Sequence, residues 1–245
     1  MTPRYSGELP QMDFIGHLAE LRRRVLISLF FFTCIGAALF SRGAALVAGL
    51  AAPVQGVSQG FIFIDPLEAF GAQFRVVVLG AFFVSLPVIL WQAWCFLSPA
   101  LFVPLRRELF FWLAGALGCF YGGIVFAYKV FLPVAAGFLL QFGAQIARPQ
   151  ISISAYVSFA SFLLLAGGFI FLLPVAIAML SKVGIVSPRQ LSAFRKYAWL
   201  FLVVIAAVAS PTQDVFNLFL LALPMIIFYE LGIILSRLSR RRKKE

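Results

Sequence analysis

The sequence has little charge and few of the side chains that build metal or nucleophile sites. Only 12% of its 245 residues are charged, and it holds one histidine and three cysteines; ordinary soluble domains carry about a quarter charged residues. With His17 as the single histidine, neither a histidine-based zinc cluster nor a Ser-His-Asp triad can be assembled. The cysteines lie in or beside apolar runs without paired spacing. This favours buried cysteines with no functional role over a disulfide. Nucleotide-binding glycine motifs are absent as well. We therefore expect a protein that is not an enzyme and uses neither a metal nor a cofactor.

Long, continuous apolar runs are what the chain has instead. Hydrophobic residues make up 62% of it, and 29 residues are phenylalanine. A soluble fold of this size could not bury so much apolar surface, and only helices or closed barrels cross lipid. A barrel would show short segments of alternating polarity. The sequence therefore predicts an all-α polytopic membrane protein.

Six of the apolar runs are assigned as membrane spans of one integral membrane domain. They cover residues of about 25–40, 76–97, 109–128, 156–180, 197–209 and 215–235, followed by a basic tail at 236–245. The stretch before the second span is predicted to be an external loop with a short helix on the membrane surface. The uncharged segment 130–147 is interrupted by proline, glycine and glutamine, and we assign it to a connection outside the membrane.

The last two spans are predicted to be short. Thirteen residues at 197–209 give a helix of roughly 20 Å, against about 30 Å of hydrocarbon, and Glu230 interrupts the apolar part of the sixth span. Such helices either thin the bilayer beside a polar residue, which would help to move something across, or are covered by their neighbours.

The net charge of +11 is concentrated between the apolar runs. With six spans and both termini in the cytoplasm, 16 of the 20 Lys and Arg residues lie inside, and only Arg42, Arg75, Lys129 and Arg148 lie outside. A seventh span at 130–147 would reverse this excess, against the positive-inside rule. The pattern explains the charge better than nucleic-acid binding does. We expect the basic tail to attract anionic lipid.

An amphipathic helix is predicted at residues 13–24, leading into the first span. His17, Glu20 and Arg24 lie on a part of its surface separate from the apolar stripe. Two interpretations of Glu20 remain open. It either pairs with Arg23 or Arg24 at a spacing of three or four residues, or it faces a cavity and captures a cationic ligand.

The remaining acidic residues also allow two interpretations each. Glu230 lies within an apolar helix, where an ionisable group is functional by default, although it could reach the cytoplasmic interface instead. Asp214 is favoured as the cap of the sixth helix. Asp65 and Glu68 flank Pro66, so turn formation and capping explain them adequately.

The run from His17 to Arg24, His-Leu-Ala-Glu-Leu-Arg-Arg-Arg, resembles the amino-terminal signature of the TatC family, the multispan subunit of the twin-arginine protein translocase. Further elements similar to this family follow in the expected order: Ala52-Pro53, Asp65–Phe70, Pro87–Phe96, Ser98–Leu101, Pro174–Ala176, Ser187-Pro188, Ser210-Pro211, Asp214–Phe216 and Pro224–Glu230. Any one of these motifs is weak, but the ordered set covers nearly the whole chain.

The resemblance implies a cup-shaped bundle of six helices in the bacterial cytoplasmic membrane, with both termini in the cytoplasm. It implies binding of twin-arginine signal peptides of folded proteins, self-association, assembly with the single-span partners TatA and TatB, and export driven by the proton-motive force. It places Glu20 against the arginine pair, with Arg22 shaping that surface. The implied signal-peptide site comprises Glu20, Arg22, Glu108, His17 and Phe96. The implied partner or translocation residues are Glu230, Asp214, Pro53 and Phe70.

Two positions depart from the family pattern. Leu105 stands where the family usually has a glutamate before a basic pair, while the available acid, Glu108, follows Arg106 and Arg107. Leu172 stands where the family often has a polar residue, two positions before the proline of the fourth span. The alternative function is a proton-coupled transporter of small solutes that uses Glu230, although no internal repeat of the transporter type is visible. A structural anchor acting through its basic tail is the third possibility.

Overall fold

The chain folds into nine α-helices and one very small sheet within the part that the structure describes. The computed structural model describes residues 14–54, 61–98, 103–144, 150–210 and 214–241. The helices are α1 Phe14–Phe40, α2 Gly43–Ala51, α3 Pro66–Leu97, α4 Val103–Phe126, α5 Leu132–Ala144, α6 Ile153–Val183, α7 Pro188–Ala193, α8 Arg195–Ala209 and α9 Val215–Arg241, and the strands are β1 Phe61–Ile62 and β2 Ile151–Ser152.

Five helical stretches in the described ranges are long and apolar enough to cross a membrane. They are Gly16–Phe40, Pro66–Phe96, Phe110–Gly143, Ile153–Lys182 and Val215–Leu238. The prediction of a helical membrane protein is therefore confirmed. Three of the predicted spans, 25–40, 156–180 and 215–235, fall wholly inside these stretches, and 76–97 and 109–128 each extend one residue beyond one. Helix α1 includes the amphipathic segment predicted before the first span. Helix α3 begins ten residues before the second predicted span, because the charged and polar residues at 66–75 are helical as well.

The two helices predicted to be short differ in outcome. Helix α8 has 15 residues, a length of about 22 Å, and is short as expected. The sixth span is present, but the expectation that its helix is short is wrong, because α9 continues for 27 residues. Glutamate is a good helix former, so Glu230 does not end the helix. Its charge is paired with Arg195.

The third predicted span also ends too early. A π-helical turn at Ala127–Phe131 joins α4 directly to α5, which covers most of the segment assigned to an outer connection. Pro133 has no N–H to donate to the carbonyl of Lys129, and a wider turn just before it accommodates that loss. The combined apolar stretch has 34 residues, about 51 Å, which exceeds the thickness of the hydrocarbon. Only part of it can lie within one crossing.

Helix α6 lies at the centre of the bundle and packs against α3, α4 and α9. Its crossing with α4 is very close, since a Cβ at Gly123 would lie 2.4 Å from the carbonyl oxygen of Gly167. A Cβ at Gly167 would in turn lie 2.5 Å from the Cβ of Ala127. Small residues four apart allow such an approach between membrane helices.

Helices α1 and α3 are antiparallel and define the two ends of the bundle. Phe40 contacts Phe70 edge to face at one end, with ring centroids 6.4 Å apart, and His17 contacts Phe96 at the other. We call these the Phe40 end and the Glu20 end. Twenty residues of α1 separate Phe40 from Glu20, a distance of about 30 Å along the helix.

The Phe40 end is covered by α2 and by a 3₁₀ turn at Ala52–Val54. Two tyrosines hold this cover: the hydroxyl of Tyr128 donates to the carbonyl of Gly49 at 2.6 Å, and that of Tyr156 donates to the carbonyl of Leu50 at 2.8 Å. Strands β1 and β2 pair in parallel beside it.

The turn at Asp65 behaves as the sequence predicts. Its carboxylate accepts from the N–H of Leu67 at 2.8 Å and caps α3. Glu68 accepts from the N–H of Ile64 at 3.0 Å and from the hydroxyl of Ser152 at 3.2 Å. Glu68 therefore links the start of α3 to β2 as well as shaping the turn.

Candidate functional site

The amphipathic start of α1 lies along the last turns of α3 at the Glu20 end. The imidazole of His17 stacks on the ring of Phe96, with centroids 4.3 Å apart and planes inclined by 22°. Histidine and phenylalanine thus form an aromatic wall between the two helices. Two of the predicted site residues, on elements far apart in the chain, are brought together here.

A charged cluster follows one to two turns further along α1. Arg24 Nη2 lies 3.1 Å from Glu20 Oε1, and Arg24 Nη1 donates to Gln92 Oε1, also at 3.1 Å. The side chains of Glu20 and Arg24 are 20% and 30% exposed. Glu20 thus pairs with Arg24, one of the two partners predicted for it, while its capture of a cationic ligand stays a prediction.

The hydrogen bonding of this cluster is incomplete. Arg24 Nε is buried without an acceptor among the described residues. Glu20 is held through one carboxylate oxygen, and the partial exposure of its side chain leaves it within reach of a ligand. A guanidinium fork can satisfy both oxygens of a carboxylate, so the carboxylate retains capacity for a second cationic group.

Arg22 lies on a different face of α1. Residues two positions apart do not face each other on a helix, and Arg22 and Arg23 are exposed beside Leu26, Ile27 and Phe30. These side chains, with Ala19, line a shallow cavity of about 630 Å³. The surface that Arg22 helps to shape is therefore this neighbouring cavity and not the Glu20–Arg24 contact.

Glu108 is the acid predicted to act with Glu20. Helix α4 carries Glu108 near its start, but the side chains of Glu108 and Leu105 lie outside the described residues.

Glu230 forms an ion pair between two helices. Its Oε2 lies 2.7 Å from Arg195 Nη2, with the side chains 29% and 42% exposed. Nearby, the hydroxyl of Tyr229 donates to the carbonyl of Leu191 at 2.9 Å, and Arg237 donates to Ser192 at 2.7 Å. These contacts tie α7 and α8 to α9.

The other three predicted partner or translocation residues lie at the opposite end. Asp214 accepts from the backbone N–H of Asn217 at 2.8 Å and from its side-chain amide at 2.9 Å, which confirms the predicted capping. Pro53 lies in the 3₁₀ turn, and Phe70 is exposed near the start of α3. The structure therefore separates Glu230 from the other members of its predicted group.

Gln92 and Arg195 were not predicted as partners of the candidate acids. Gln92 stands out in an apolar run and lies four residues before Phe96, so both side chains occupy one face of α3. That spacing is the signal that could have found it. Arg195 has no comparable local signal, because its partner is 35 positions away.

These features define a multi-span helical membrane protein with an aromatic and charged site where its first and third helices meet. A family model described as TatC, Sec-independent protein translocase protein, matches residues 16–224. A TatC of this description from Aquifex aeolicus is 34% identical over 238 residues, covering 96% of this chain and 98% of the relative. One from Carboxydothermus hydrogenoformans is 32% identical over 232 residues, with coverage of 95% and 96%.

Solved structures agree with the sequence comparison. A crystal structure described as the twin arginine translocase receptor TatC matches with a TM-score of 0.78 and 34% identity, covering 91% of this chain and 99% of the other. The chain belongs to the TatC family of Sec-independent protein translocase proteins. Members of this family are components of a protein translocase and are not a family of catalysts.

Proposed function

We propose that this chain is the receptor subunit of a twin-arginine translocase and that Glu20 binds the arginine pair of signal peptides. The observation that carries the proposal is the Glu20–Arg24 contact, because it demonstrates a geometry in which this carboxylate accepts a guanidinium group. The carboxylate keeps 20% exposure, so a second guanidinium has access to it.

The surroundings of Glu20 suit a peptide that continues from arginines into apolar residues. The His17–Phe96 stack offers an aromatic surface beside the carboxylate, and arginine also packs favourably on aromatic faces. Further along α1, Leu26 and Leu29 are each more than half exposed and offer apolar surface. Glu108 is proposed as the second acid of this site.

The remaining parts of the proposal concern orientation and assembly. The excess of positive charge in the segments at the Glu20 end supports a cytoplasmic location of this end and of both termini in a bacterial inner membrane. The six-span cup, assembly with TatA and TatB, self-association, use of the proton-motive force and lipid binding by the tail belong to the same proposal. Pro53, Phe70, Asp214 and Glu230 are proposed to support translocation or partner contacts, Asp214 and Glu230 through the helix ends that they stabilise.

A proton-coupled transporter based on Glu230 is less well supported than the receptor. Such a coupling carboxylate must face the path of the solute, whereas the carboxylate of Glu230 is held by Arg195 of α8 at 2.7 Å.

The test is binding of two synthetic signal peptides, identical except for Arg-Arg or Lys-Lys, to the protein in lipid nanodiscs. Glu20→Gln is expected to lose binding of the Arg-Arg peptide while the protein remains inserted and helical. Asp65→Asn is the matched control, since it neutralises a carboxylate at the Phe40 end and keeps a side chain able to cap α3. Binding by Glu20→Gln equal to that of the unaltered protein would overturn the proposal.

A further inference from the structure

We infer that Arg24 is an internal competitor that occupies Glu20 until a signal peptide displaces it. This role depends on the proposed function, because it names what regulates the same carboxylate. Arg24 lies one helical turn after Glu20 and presents to it the chemical group that the incoming peptide would present.

The hold on Arg24 comes from two helices. Its Nη2 reaches Glu20 on α1 and its Nη1 reaches Gln92 on α3, both at 3.1 Å. The rigid fork of the guanidinium is therefore anchored at two points, which a flexible ammonium group could not reproduce. Gln92 is neutral, so it fixes the position of Arg24 without competing for the cationic ligand.

The contact between Arg24 and Glu20 can also be broken reversibly. Arg24 Nε is buried without an acceptor in the described ranges, and such a group lowers the stability of the contact. With 30% of its side chain exposed, Arg24 can swing out to water once another cation takes the carboxylate. Release needs only a side-chain movement, since neither helix has to shift.

Competition of this kind has a defined thermodynamic result. The apparent dissociation constant of any peptide equals its intrinsic value divided by the fraction of molecules in which Arg24 has left Glu20. That factor is the same for every ligand. Arg24 therefore leaves the preference for Arg-Arg over Lys-Lys unchanged but raises the affinity that a peptide must have to occupy the site. At a given peptide concentration, every cationic peptide therefore occupies the site less than it would in the absence of Arg24.

The opposite expectation follows if Arg24 only ties α1 to α3. Loss of a tie would loosen the site, so peptide binding would weaken. Loss of a competitor strengthens it. The sign of the change in affinity therefore separates the two roles.

The experiment compares Arg24→Gln with Arg23→Gln in nanodiscs, using the Arg-Arg and Lys-Lys peptides. Arg23 is exposed on the other face, so its variant removes the same charge without emptying the contact. An ion pair of this exposure is expected to raise the apparent dissociation constant of a peptide by up to about fivefold. Arg24→Gln should therefore bind both peptides about three- to fivefold more tightly than Arg23→Gln does, with an unchanged ratio between the two peptides.

Arg24→Lys keeps the net charge and provides a second test if Arg24→Gln does not fold. Because lysine lacks the two-point fork, both peptides should bind more tightly than to the unaltered protein. Weaker binding in either Arg24 variant that remains folded, or equal tightening in Arg23→Gln, would overturn the competitor role. If Glu20→Gln loses binding while Arg24→Gln weakens it, only this inference fails. If Glu20→Gln binds normally, the proposed function fails.

Discussion

Arg195 at the start of α8 and Glu230 in α9 form an ion pair of 2.7 Å between two adjacent helices. Each side chain carries an inner atom, Arg195 Nε and Glu230 Oε1, that is buried without a hydrogen-bond partner in the described part of the chain. The pair therefore joins a short helix to a long one through a single strong contact. It also explains how α9 keeps an acid within an apolar sequence.

Breaking this pair should loosen α8 from α9. Arg195→Gln and Glu230→Gln are each expected to lower the free energy of unfolding by about 1 kcal/mol, a value kept small because both side chains are partly exposed. The double variant should lose less than the sum of the two single changes. Thermal unfolding of the detergent-solubilised protein measures this, and strictly additive losses would show that the residues do not interact.

The α4–α6 crossing should not tolerate even one added methyl group. In Gly123→Ala the new Cβ would lie 2.4 Å from the carbonyl oxygen of Gly167, so the helices must separate. We expect a loss of about 1–3 kcal/mol in stability, as for other overpacked sites.

Gly118→Ala provides the matched control on the same helix. A Cβ there meets no atom within 4 Å, so this change is expected to be neutral or slightly stabilising. Reversible unfolding in mixed micelles would compare the two variants. Equal stabilities would show that the crossing is looser than described.

The two tyrosine hydroxyls that hold α2 should contribute to the order of the Phe40 end. Tyr156→Phe is expected to cost about 0.5–1.5 kcal/mol by leaving the carbonyl of Leu50 without its donor. Hydrogen exchange of the amides in 43–54 should rise in this variant and in Tyr128→Phe. Tyr197→Phe, on exposed α8 surface, is the control and should leave that exchange unchanged.

The aromatic wall of the candidate site should contribute to peptide binding. Phe96→Ala removes the ring stacked on His17 and is expected to weaken binding of the Arg-Arg peptide by about three- to tenfold, the range for a lost aromatic pair. Phe96→Tyr keeps the ring and should bind nearly normally. Equal affinities of the alanine and tyrosine variants would show that the His17–Phe96 stack does not contribute to peptide binding.

Much of the architecture was predictable because it follows from local chemistry. Apolar composition requires lipid as the solvent, and the lengths of the apolar runs locate the spans. The cap at Asp214 and the pairing of Glu20 with Arg24 connect residues three or four positions apart, where helix geometry alone brings side chains together.

Other features depended on how the helices pack. Gln92 meets Arg24 from 68 positions away, and Arg195 meets Glu230 across 35, so no periodicity in the chain could pair them. The sequence by itself determined the class of protein, most of its spans and the polar face of the first helix. Only the tertiary structure decided which partners hold each charge, because contacts between helices depend on where they cross and which side chains face each other there.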